Sequence, residues 1–206
     1  MDYQDQSSSA QIKAQQDWMK SVVKQNPTKW RVAVMHKSLF GYRMANPVAS
    51  WTNAYDEAGI DVVLMGHDHV YVRTKLYANG ANLEPQIYGN GTTYMTSYSG
   101  NHDRRGTYYT KDPANVAYVD VRAIGPGYSN VSISPTEIRV TSKGFDTNGT
   151  LVTGDNDALV TNTPRTPNLS AWTYPAVPQD INELTLTNIA VTGIAKEGQT
   201  LNATVT

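Results

Sequence analysis

A mixed α/β chain that turns β-rich along its length is the predicted fold class (α/β grading into α+β), on three observations. Residues 9–65 alternate two helical apolar patterns with two short apolar runs, the order of a parallel-sheet unit. Residues 70–152 carry short runs rich in Thr, Tyr, Val and Ile between Gly and Asn turns, which reads as an antiparallel second layer. Threonine, a strand-favouring residue, numbers 3 in positions 1–80 and 20 in positions 81–206.

Each element follows from its local pattern. Met1 to Ser9 is polar and irregular. Ser8 with Gln11 three residues on can form a capping box that opens a helix running to about Lys24. Ile12, Met19, Val22 and Val23 share one face of that helix, with Trp18 at its edge, and Asn26-Pro27 ends it. Trp30–Met35 is a short β-branched apolar run, hence a buried strand. Asn46-Pro47 caps a second helix in which Val48, Trp51, Tyr55 and Ala58 keep helical spacing, and Gly59 stops it. Ile60–Met65 is the second buried strand. Thr92–Ser97, Val116–Ala123, Glu137–Ser142 and Thr150–Thr153 are the strands expected in the second layer. Pro164, Pro167, Pro175 and Pro178 among Thr, Asn and Asp mark a linker over 154–183. Leu184–Thr206 alternates apolar and polar residues, as two strands of an all-β module would.

Composition narrows the chemistry. The 17 Lys and Arg nearly balance 18 Asp and Glu, so nothing points to a nucleic-acid or anionic-membrane partner. No apolar run is long enough for a transmembrane helix, and no signal peptide is visible. Cysteine is absent, which removes disulfides, thiolate metal sites and cysteine nucleophiles together. Four histidines remain: His36, His67, His69 and His102.

Three of them fall where ligands bind. The first strand runs directly into His36, and the second into Gly66-His67-Asp68-His69. Open α/β sheets bind ligands beyond the carboxyl ends of parallel strands. In an extended segment, His67 and His69 would face one side, with Gly66 giving the backbone room to turn. A lone histidine is more often a hydrogen-bonded surface residue than a ligand. Three at the ends of two adjacent strands outweigh that reading, and neutral imidazole suits iron, manganese and zinc.

Gly66-His67-Asp68-His69-Val70-Tyr71-Val72-Arg73-Thr74 resembles the GHxHxYER(T) signature of the purple-acid-phosphatase-like branch of the calcineurin-like metallophosphoesterases. Lys29-Trp30 with the following strand and His36 is similar to the segment upstream of that signature. The likeness covers residues from about Gln11 to Tyr98 and continues more weakly to about Val152. It implies the C-terminal part of a β-sandwich flanked by helices, followed by a β-rich segment. It also implies two metal ions of the iron, manganese or zinc class, and hydrolysis of a phosphate-ester substrate. By position, His36 and His67 would ligate one metal and His69 the other. Asp68 or a backbone carbonyl would hold a ring nitrogen. Arg73 matches the family arginine, either as a phosphate contact or in a structural ion pair.

The departures matter as much. The family's early blocks, which supply the bridging aspartate and an asparagine ligand, precede the helix that opens this chain, where only about ten residues stand. Gly100-Asn101-His102-Asp103 spells the family's GNHD block, but after the GHDH block instead of before it, so Asn101 and His102 are weak candidates. Lys37 stands where many relatives have a second histidine. The simplest expectation is a chain cut from a longer one. Residues 1–153 would be the C-terminal part of the phosphoesterase domain and 154–183 a linker. Residues 184–206 resemble the opening of a bacterial Ig-like repeat, which implies an extracellular or cell-wall-associated parent. A non-catalytic cell-surface adhesion module with a vestigial metal site is the alternative.

Overall fold

The computed structural model describes residues 9–40, 49–82, 89–100, 116–120, 126–146, 148–161, 163–173, 189–192 and 202–205. The chain divides into two compact units, 1–174 and 175–206. In the second, β11 (Ile189–Thr192) and β12 (Asn202–Val205) form an antiparallel pair.

The first unit opens with the expected alternation: α1 (Ser9–Gln25), β1 (Val32–Lys37), α2 (Ala49–Ala58) and β2 (Val62–Gly66). Strands β1 and β2 pair in parallel. α1 turns Met19 into the core, with Ile12 and Val23 against it, while Trp18 and Val22 face outward. α2 buries Trp51, Ala54, Tyr55 and Ala58. It ends on Gly59 at φ 62°, where Gly59 N donates to Asp56 O and Ile60 N to Tyr55 O, at 3.1 and 3.0 Å. This reciprocal pair satisfies the last carbonyls and needs a residue tolerant of the left-handed conformation. A Cβ here would also strike the backbone of Pro167 at 2.9 Å.

The next strands depart from expectation. β3 (Tyr71–Thr74), β6 (Thr93–Thr96) and β7 (Val116–Asp120) join the same sheet, in the order β1-β2-β6-β3-β7. β6 runs parallel to β2, and β3 antiparallel to β6 and β7. A short hairpin, β4 (Tyr77–Ala78) with β5 (Ala81–Asn82), lies between β3 and β6 in sequence. The antiparallel second layer begins only with β8 (Gly127–Ile133), β9 (Glu137–Phe145) and β10 (Leu151–Thr161). Threonine is mostly an exposed residue type, yet Thr93–Thr96 is wholly buried. Partners for the hydroxyls make that possible. Thr92 Oγ1 donates to Ile60 O at 2.8 Å, Thr96 Oγ1 to Phe40 O at 2.6 Å, and Thr74 Oγ1 accepts from Tyr94 N at 3.0 Å.

The five-stranded sheet therefore packs on both faces. Alternate residues such as Met35, Val63, Val72 and Tyr94 meet the helices. Val62, Tyr71 and Met95 meet Ile138, Val140 and Leu159 of the second sheet. Each large apolar side chain so buried contributes about 1.5–3 kcal/mol.

The linker expected at 154–183 is corrected in its first part. Residues 154–161 complete β10, and residues 163–173 pack on the helical unit. Arg165 pairs with Asp56 at 2.9 Å, its backbone N donates to Asp61 Oδ1 at 2.9 Å, and Leu169 is buried. Proline and threonine composition resembles a free linker, but the buried Asp61 carboxylate needs the donors that this segment and Arg31 N supply. No described helix is long and apolar enough to cross a membrane.

Three core tyrosines make stability pH-dependent. Burial pushes the phenols of Tyr55, Tyr71 and Tyr94 upward from their ordinary value, with Asp155 adding to the effect at Tyr71 and Asp56 at Tyr94. A raised folded-state pKa favours the proton in the native state. This stability is fully present below about pH 10, where the unfolded phenol ionises, and is lost as pH rises further. The expected slope is up to about 1.4 kcal/mol per pH unit for each tyrosine. Urea unfolding between pH 9 and 11 should show it, and Tyr55→Phe should flatten its share. An unchanged alkaline slope in that variant would refute the assignment.

Candidate functional site

His36 sits one residue from the end of β1, at an irregularity in the pairing. Val34 pairs with Leu64 and Lys37 with Gly66, so Met35 and His36 together face the single residue Met65. This is a bulge, a device that re-aims side chains next to functional sites. The strand keeps its alternation here, so Met35 points into the core while His36 is exposed at the carboxyl rim.

The segment after β2 is not extended, which corrects the reasoning that placed His67 and His69 on one side by alternation. His67 has φ 69° and His69 φ 57°, both left-handed. Asp68 N donates to Gly66 O at 2.8 Å, so His67 is the centre of a tight three-residue turn of the rare positive-φ hand. The turn is made by His67, not by Gly66. A Cβ on Gly66 would meet only His36 O, at an ordinary 3.6 Å. Holding two non-glycine residues this way costs about 1–3 kcal/mol each, and such residues cluster at functional sites.

The distortion brings two imidazoles together. His67 Nδ1 lies 3.3 Å from His36 Nε2, with ring centroids 5.2 Å apart and planes at 79°. Two imidazole nitrogens bound at about 2.0–2.1 Å to one tetrahedral ion stand about 3.3 Å apart. The pair can thus share one N–H or turn both lone pairs toward one cation. His36 also borders a shallow depression of about 370 Å³ with Val34, Met35, Leu64, Met65 and Gly66. A more enclosed apolar cleft of about 330 Å³, between α1 and β1, lies away from the histidine pair.

Of the remaining candidates, three lie among the described residues. His69 is half-buried, and among the described residues no three His, Asp or Glu side chains form a group able to hold a metal. Asp68 is 2% exposed and its Oδ2 accepts from Ser38 Oγ at 2.6 Å. Arg73 points away from the rim, between the sheets. Its Nε donates to Asp155 Oδ2 at 2.7 Å, and Tyr71 Oη donates to the same oxygen at 2.6 Å. Asn101 and His102 lie outside the described residues. Ser38 and Asp155 were not singled out from sequence. Ser38 had a weak local signal, two residues beyond His36, whereas Asp155 had none, because its partners stand 82 and 84 residues away.

No protein-family model matches the chain, and no curated protein matches it. Solved structures do. A purple acid phosphatase isolated from yellow lupin (Lupinus luteus) seeds superposes with a TM-score of 0.51 at 11% identity, over 78% of this chain and 29% of that one. GAP50, the anchor in the inner membrane complex of Plasmodium, gives a TM-score of 0.49 at 13% identity, over 78% of this chain and 46% of that one. The chain thus spans less than a third of the length of the phosphatase it matches, and what the two share is a mixed α+β phosphoesterase-like fold.

Proposed function

We propose that this chain belongs to a metal-dependent phosphate-ester hydrolase and supplies histidine ligands to its metal site. One observation carries the reading. In a fold shared with a phosphatase, His36 Nε2 and His67 Nδ1 stand 3.3 Å apart at the carboxyl ends of two neighbouring parallel strands. His36 and His67 would hold one ion, and His69 is assigned to a second, as the sequence resemblance implies. Metal ions of the iron, manganese or zinc class supply Lewis acidity toward a phosphoryl oxygen and a water nucleophile at neutral pH. The protein's part is to aim both ring nitrogens at one point. The end of β1 positions His36 and the strained turn positions His67. The same reading places residues 184–206 in an Ig-like β module of an extracellular or cell-wall-associated protein, with the β11–β12 pair in its support.

The test is hydrolysis of an aryl phosphate, by the 206-residue chain and by any longer natural form that contains it. Added manganese, zinc or iron should raise turnover, and His36→Ala should return it to background by removing a ligand. No metal-dependent turnover in either form would end the enzyme reading in favour of a non-catalytic adhesion module.

A further inference from the structure

We infer that Ser38 is a positioning residue that holds the two histidine-bearing segments in register through Asp68. The inference rests on the metal-site reading above and deepens it. Ser38 lies two residues beyond His36 on the segment leaving β1, and is 1% exposed. Asp68 lies between His67 and His69 and is 2% exposed. Ser38 Oγ donates to Asp68 Oδ2 at 2.6 Å, so one buried, charge-assisted bond joins the exit of β1 to the exit of β2.

Its neighbours stiffen the same seam. Leu39 N approaches Met65 Sδ at 3.1 Å, and Thr96 Oγ1 donates to Phe40 O at 2.6 Å. Residues 38, 39 and 40 are therefore pinned in succession to Asp68, β2 and β6. Only the first of these anchors reaches the strained turn. A left-handed conformation at both His67 and His69 persists where the surroundings over-determine it. The carboxylate between them is held from outside the turn by Ser38. Without that hydroxyl, Asp68 loses a donor inside the protein, where a carboxylate needs donors. The turn that carries it relaxes, and His67 leaves His36.

The experiment uses the full chain with Ser38→Ala and Ser38→Thr, and two readouts. In the metal-free protein, the nuclear Overhauser contact between the His36 and His67 rings should vanish in Ser38→Ala and persist in Ser38→Thr. Zinc affinity by calorimetry should fall about 10- to 100-fold in Ser38→Ala, the range for removing a partner that orients a ligand, and recover in Ser38→Thr. A merely structural serine would lower stability while leaving the ring contact intact, and that result overturns the inference. If wild-type zinc binding needs His36 and His67 but Ser38→Ala binds equally well, the positioning role fails and the metal reading stands. If the ring contact is lost in Ser38→Ala but wild type binds no zinc, the positioning role stands and the metal reading fails. Should Ser38→Ala not fold, Ser38→Cys, of similar volume but a weak donor, replaces it. An equal ring contact in the cysteine and threonine variants then overturns the inference.

Discussion

Asp155→Ala is expected to destabilise the first unit by about 3–5 kcal/mol, the usual cost of leaving one partner of a buried ion pair uncompensated. The Arg73 and Asp155 side chains are 9% and 6% exposed, and the guanidinium meets both carboxylate oxygens, at 2.7 and 3.4 Å. Tyr71 adds a third donor. The pair crosses from β3 in one sheet to β10 in the other, so the charge left behind stays largely screened from water. The intact pair need not be worth as much, because desolvation offsets its attraction. Arg73→Met with Asp155→Leu should therefore recover most of the loss. Urea midpoints of the two variants decide it, and Asp155→Ala within about 1 kcal/mol of wild type would contradict the prediction. Of the two roles expected for Arg73, the observed contact is the structural ion pair, so Arg73→Met alone should also lower stability.

On the proposed metal-site reading, His67→Gly should strongly weaken zinc binding while folding more stably than His67→Ala. Removal of the imidazole takes one of two nitrogens from the site. Affinity should fall at least about 100-fold, since loss of a mere supporting partner costs about 10- to 100-fold. The backbone responds in the opposite sense. At φ 69° alanine keeps the strain and glycine releases it, by about 1 kcal/mol. Calorimetry with zinc and urea unfolding on the two variants check both halves. Equal stability of glycine and alanine variants would show that position 67 is unstrained, and undiminished zinc binding would remove His67 from the site.

The parts of this molecule that were legible in sequence are those that neighbours along the chain decide. The spacing of Trp51, Tyr55 and Ala58, the stop at Gly59, and the apolar runs ending in His36 and Gly66 led to α2, β1 and β2 in their observed order. They also placed two histidines at the carboxyl ends of adjacent strands. These features are local because helical periodicity and capping are settled within a turn or two.

Partners far along the chain decided the rest. Threonine runs read as strand in sequence, and carbonyls such as those of Ile60 and Phe40, 32 and 56 residues away, let them be core residues. That moved β6 from the expected second layer to the middle of the first sheet. Proline-rich residues 163–173 look like free linker until Asp61 and Asp56 give Arg165 its place. The site shows the same division. Sequence alone determined that imidazoles reach the rim. The left-handed backbone at His67, the bulge at His36 and the Ser38–Asp68 bond exist only once two strand exits are packed side by side. Nothing in the nearby sequence announces a strained conformation, and the tertiary structure that holds it in place also decides which histidines meet.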